Sequence, residues 1–196
     1  MLVLDSGDAK ADAALFARNG IGSFEPFFFE RKGRRPDGAE THVAFTLAFA
    51  RDENAPQCGF FVCQQHFPEN FWNPSFQAHE NGACAIAAIG MTAAHPETYE
   101  DFLVTFSGSP ARREMEGGLS IELRGSRLNV VGNAVAEDDA LQFRSMDIAI
   151  PDIAAQERRL QTADIPFLTH GGGLCVSSEA AFGLRICFVE RDRLNN

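Results

Sequence analysis

Thr41-His42-Val43-Ala44-Phe45-Thr46-Leu47-Ala48-Phe49-Ala50-Arg51 alternates large apolar side chains with small or polar ones. Val43, Phe45, Leu47 and Phe49 share one face, and His42, Ala44, Thr46 and Ala48 share the other. That period of two belongs to a β-strand. Upstream, Phe24 to Glu30 reads as another strand, and Lys32 to Gly38 as a loop whose Pro36-Asp37-Gly38 is a turn signal. Leu2 to Leu4 is a short apolar strand. Ala9 to Asn19 predicts a helix, with Ala13, Phe16 and Ala17 at helical spacing, Ser6 or Asp8 as its cap and Gly20 as its stop. Downstream, Asp52 to Gln57 is a polar loop and Gly59 to His66 a fourth strand. Residues 1 to 67 therefore spell strand–helix–strand–strand–strand.

The same order recurs twice. Ala85 to Ala93, the helix Pro96 to Ser107, and short strands at Arg112 to Glu116, Leu119 to Leu123 and Leu128 to Val131 make a second copy. Phe143 to Ile150, a helix from Ile153 to Thr162 capped by Asp152, and strands at Pro166 to Thr169, Leu174 to Ser177 and Leu184 to Val189 make a third. Phe67 to Gly82, rich in Pro, Asn and rings, and the acidic stretch 133 to 140 link them. A period of roughly 60 residues outranks any single local assignment. One helix cannot hide both faces of a four-stranded sheet, so each unit needs a partner. The expected class is α+β: repeated βαβββ units paired into curved mixed sheets. Residues 1–67 form a single unit, half of a domain; 68–82 form an aromatic linker; 83–196 hold two paired units.

The chain has 196 residues and a net charge of −10, which disfavours nucleic acid and anionic membrane as partners. Five cysteines at irregular spacing, mostly inside apolar runs, predict reduced buried thiols, no disulfide frame and a cytoplasmic setting. The cluster Glu30-Arg31-Lys32-Gly33-Arg34-Arg35 is the one basic run, either a solvated hairpin tip or an anion clamp at a pocket mouth. Eighteen Phe residues suggest thick packing or an apolar pocket.

Phe60-Phe61-Val62-Cys63-Gln64-Gln65-His66-Phe67-Pro68-Glu69, then Phe71-Trp72-Asn73-Pro74, then His79-Glu80-Asn81-Gly82 resembles the glyoxalase-like subfamily of the vicinal-oxygen-chelate (glyoxalase/bleomycin-resistance) superfamily. The upstream Arg34-Arg35-Pro36-Asp37-Gly38 fits the same likeness. The resemblance implies four units where this chain shows three, so a further unit is expected before Met1 and with it a first-strand His. It implies a divalent metal (Zn, Ni, Mn or Fe) held by His and Glu from first and fourth strands, acting as a Lewis acid on a small oxygenated substrate. Aligned by turn signals, the implied ligand positions of the last two units fall near Ala88 and Asn129, and near Ser145 and Cys187. No metal is expected in residues 83–196.

His66 is the leading candidate, as metal ligand or as base, with Glu69 as a second catalytic group and His79 as a further ligand. Each also has a structural reading: His66 as a hydrogen-bonded shaper of the linker, Glu69 as a turn cap, His79 as a partner of backbone. His42, Thr46, Gln64, Trp72 and Arg34 are the expected substrate contacts; His42 and Thr46 line a pocket only if their face is concave. Two functions stay open at this level. One is metal-assisted lyase, isomerase or dioxygenase chemistry on a small oxygenated molecule. The other is metal-free binding and sequestration of a small molecule. A homodimer is expected, because an unpaired sheet face would expose many Phe rings.

Overall fold

The computed structural model describes residues 1–34, 38–72, 74–114, 117–132 and 140–190. The Pro36-Asp37 part of the turn signal, Asn73, the end of the strand expected to reach Glu116, and all but the last residue of the acidic link lie outside them.

The chain divides into two compact units. The first comprises 1–77 together with 101–108, the second 78–100 together with 109–196. In the first, β1 (Leu2–Asp5), β2 (Phe27–Arg34), β3 (Glu40–Ala50) and β4 (Phe60–Gln65) form one sheet in the order β1-β4-β3-β2. β1 runs parallel to β4, and the other pairs are antiparallel. Helix α1 (Ala9–Arg18) starts where the Asp8 carboxylate accepts the Lys10 and Ala11 amides. It ends at Asn19 and Gly20, whose φ of +72° suits glycine. The expected link holds a short helix α2 (Pro68–Phe71) and a 3₁₀ turn at Pro74–Phe76.

Helices cover one face of this sheet. The ring of Phe60, 1% exposed, packs against Phe102 and Phe106 of α3 (Glu100–Ser107), with centroids 4.8 and 5.4 Å away. Phe106 in turn meets Phe16 of α1 at 5.9 Å. So a helix read from sequence as part of the second repeat serves the first sheet. The stretch expected as one helix from Pro96 is a 3₁₀ turn, Pro96–Tyr99, followed by α3.

The opposite face carries Phe27, Phe29, Phe45, Phe49 and Phe61. Phe27 stacks on Phe29, Phe29 on Phe45 at 5.1 Å, and Phe45 meets Phe71 edge-on. Phe27, Phe29, Phe71, Trp72 and Phe76 stay exposed.

The second unit holds β5 (Ala85–Ala93), β6 (Ala111–Arg113), β7 (Leu119–Leu123), β8 (Ser126–Gly132), β9 (Gln142–Ile150), β10 (Phe167–His170), β11 (Gly173–Val176) and β12 (Arg185–Glu190), in the order β10-β11-β12-β9-β5-β8-β7-β6. β5 and β9, the first strands of two repeats, pair antiparallel and join two four-stranded halves into one sheet. Helix α4 (Ile153–Thr162), capped by Asp152, packs Leu160 on Ile150, Leu174, Val176 and Phe188.

One sequence expectation is corrected here. Cys175 and Cys187 are bonded as a disulfide, while Cys58, Cys63 and Cys84 remain thiols. The two lie directly opposite each other on β11 and β12 with Cα atoms 4.0 Å apart. Irregular spacing along the sequence hid a cross-strand pair.

Candidate functional site

Strand alternation assigns each candidate to a face. Thr46 is paired in register with Phe28 and Gln64, and the Gln64 side chain bonds Gly7 O and Ala9 N at the start of α1. Thr46, 4% exposed, has its Oγ1 2.7 Å from His66 Nε2. His66 is flanked by Phe28 at 5.7 Å. Thr46, Gln64 and His66 therefore lie on the helix-covered side. His42 sits at the same side's margin, 3.0 Å from Glu30 and against the Phe67 ring. Glu69 is exposed on α2, one residue before Asn70, whose amide donates to His42 O. His79 is exposed in the second unit, where its carbonyl accepts the Gly82 amide.

Trp72 and Arg34 come together. They line a cavity of about 500 Å³ with Arg31, Thr41, Phe71 and Phe76 on the open side of β2 and β3. The basic run thus borders an aromatic pocket. Arg31 lies opposite Val43 on the open face, beyond the Phe27–Phe29 pair. Thr41 Oγ1 is buried and has no partner among the described residues. Arg31 belongs to the run read from sequence as a hairpin tip or an anion clamp; Thr41 was not singled out, although the alternation of Thr41 to Arg51 held the signal.

The registers also locate the positions at which the resemblance implies metal ligands. Asp5↔Cys63, Gly90↔Asn129 and Asp147↔Cys187 are the same parallel pair in three repeats, and Val3, Ala88 and Ser145 each stand two residues earlier. In each repeat the fourth-strand member lies four residues after a glycine: Gly59, Gly125 and Gly183. The first-strand position of the first unit, expected before Met1, is therefore Val3. The six positions hold Val3, Cys63, Ala88, Asn129, Ser145 and the disulfide-bonded Cys187. The Cys63 thiol is pushed up by burial and by the Asp5 charge, which disfavours a thiolate ligand. Among the described residues no group of three His, Cys, Asp or Glu side chains is placed to hold an ion. This donor set does not fit the implied divalent metal.

The sequence model of the glyoxalase-like domain matches residues 1–106. The chain belongs to this family. Among curated proteins, none matches it. The family's architecture is also seen in solved structures. A hypothetical protein from Staphylococcus aureus is similar over 96% of this chain and 64% of its own, at 9% identity and TM-score 0.65. 2,2′,3-Trihydroxybiphenyl 1,2-dioxygenase from Sphingomonas wittichii strain RW1 is similar over 96% of this chain and 68% of its own, at 12% identity and TM-score 0.54. This chain spans less than two thirds of the S. aureus protein's length. These likenesses show the glyoxalase-like fold. No helix among the described residues is long and apolar enough to cross a membrane.

Proposed function

We propose that this glyoxalase-like chain is an enzyme that takes a small oxygenated anion with an apolar body and performs lyase or isomerase chemistry on it. The observation that carries this reading is the cavity that sets Arg31 and Arg34 beside Phe71, Trp72 and Phe76. Guanidinium groups recognise carboxylate and enolate oxygens in a fork geometry, and they keep their charge at any physiological pH. Rings take up the carbon skeleton. A volume of about 500 Å³ suits a ligand of metabolite size.

Glu69 is our choice for the proton-transfer group, because its neighbours Asn70 and Phe71 both line the cavity. His66 acts as a positioning residue. Held by Thr46, it opens the turn that leads to Pro68 and Glu69. The donor set does not support a metal-borne step, so none is assigned.

Calorimetric titration with 2-hydroxybenzoate, phenylpyruvate and their uncharged amides tests the reading. The acids should bind and the amides should not. Arg31→Ala and Trp72→Ala should each weaken binding by tenfold or more, the scale of one charge-assisted bond or one buried ring. For an acid that turns over, followed by NMR, Glu69→Gln should abolish turnover and keep affinity. Equal binding of acids and amides, or affinity indifferent to Arg31 and Trp72, would reject the site.

A further inference from the structure

We infer that the open face of the eight-stranded sheet carries a second ligand site, suited to a small zwitterionic amino acid that lies across β5 with its ammonium on β9 and its carboxylate on β8. This site is separate from the first unit's cavity and does not rest on the function proposed for it. It grows out of the misfit between the implied metal ligands and the residues that stand in their place.

Two rows of residues run side by side across this face. Asp147 of β9, Ala88 of β5 and Arg127 of β8 are neighbours in register, and so are Ser145, Gly90 and Asn129. Each row sets an oxygen-bearing side chain on β9 against a nitrogen-bearing one on β8, with a small residue between. Ala88 stands where the resemblance implies a His, and its methyl leaves open the space an imidazole would fill. The result is a cavity of about 220 Å³, lined by Asp147, Ala88, Arg127 and Asn129, with Leu123 and Val189 at its apolar margin. Pockets for drug-sized ligands run to roughly 300–1,000 Å³, so this one takes a smaller molecule.

Its polar groups have capacity to spare. Asp147 is half-buried, and its carboxylate accepts no hydrogen bond among the described residues. The Arg185 charge acts on Asp147 without closing an ion pair with it among those residues. Arg127 turns to Glu122 instead, with Nε and Nη2 each 2.8 Å from one carboxylate oxygen, and its other N–H groups remain. Asn129 Oδ1 accepts the Ser120 hydroxyl, which leaves the amide NH2 to donate. Ser145, 8% exposed, has no side-chain partner among the described residues, and its hydroxyl leans over Gly90, where an added Cβ would clash with it.

The spacing selects the ligand. Asp147 and Arg127 stand two strand spacings apart, roughly 9–10 Å. A charge-assisted hydrogen bond of about 2.8 Å at each end leaves roughly 4 Å, the length of one ammonium–carbon–carboxylate unit. A lone ammonium would leave Arg127 and Asn129 unused, and a lone carboxylate would face the Asp147 charge.

Calorimetric titration of the full chain with L-alanine, glycine and L-serine tests the site. At least one should bind. Ethylamine and propionate, each with one charged end, should bind at least tenfold more weakly, because each gives up a charge-assisted contact. Asp147→Asn, which keeps the shape, and Ala88→Leu, which fills the floor, should each weaken amino-acid binding at least tenfold, with urea unfolding as the check that both chains fold. Arg31→Ala, in the first unit's cavity, should leave it unchanged. No binding of the three amino acids, equal binding of ethylamine or propionate, affinity indifferent to Asp147→Asn, or loss of binding with Arg31→Ala would each overturn the inference.

Discussion

Thr46 Oγ1 and His66 Nε2 lie 2.7 Å apart on the helix-bearing face of the first sheet, the hydroxyl buried and the imidazole exposed. Thr46 is buried, so the imidazole is what satisfies its hydroxyl. Removing the exposed ring as His66→Ala takes away that bond and opens the hydroxyl to water. The expected cost is about 0.5–1.5 kcal/mol in urea unfolding. Pairing it with Thr46→Val, which deletes the orphaned hydroxyl, should recover part of that loss. A His66→Ala chain as stable as the wild type would show that the bond carries no structural weight.

Phe60 is the keystone of the same side, touching two rings of α3 from β4. Phe60→Ala should cost about 3–5 kcal/mol, a large part of a domain's usual margin. Phe27→Ala, on the exposed face, should cost far less. Guanidinium titrations of the two variants check the contrast. Equal losses would mean that the faces are not buried as described.

Much of this fold was legible because alternation and helical spacing are local properties. The period of two from Thr41 to Arg51, the Asp8 and Asp152 caps and the order of elements in each repeat follow from neighbours in sequence. Which face a helix covers is a tertiary choice. The helix holding Phe102 and Phe106 could as well have packed on its own repeat's strands, and no spacing rule sends it to Phe60. That choice put Thr46, Gln64 and His66 on the helix side and left the pocket to Arg31, Arg34 and Trp72. The Cys175–Cys187 pair was hidden for a similar reason. Strand register, not sequence distance, brings the two thiols together.

The disulfide closes a loop of 12 residues. Chain-entropy arguments put its contribution at about 3 kcal/mol. Thiol counting on the unfolded chain should find three free thiols before reduction and five after. Unfolding in the presence of dithiothreitol should begin at lower denaturant than without it. Five free thiols in the unreduced protein, or coincident unfolding curves, would count against the pairing.

Asp147 lies on the open side of the eight-stranded sheet, where it lines a cavity of about 220 Å³ with Arg127 and Asn129. Burial raises its carboxyl pKa, and the Arg185 charge pulls it only part of the way back. The sign follows from linkage. A raised folded-state pKa means that the folded chain holds this proton more tightly than the unfolded chain. The associated stability is complete below the ordinary carboxylate value of about 3.9 and is lost as pH climbs through the raised one. At neutral pH the wild type therefore carries a desolvated carboxylate, which Asp147→Asn does not. The variant should be at least as stable as the wild type at neutral pH, and its advantage should shrink on acidification through the window just above the ordinary carboxylate range. Urea unfolding of both chains across that window decides the point. An advantage that grows as pH falls would contradict a burial-raised Asp147.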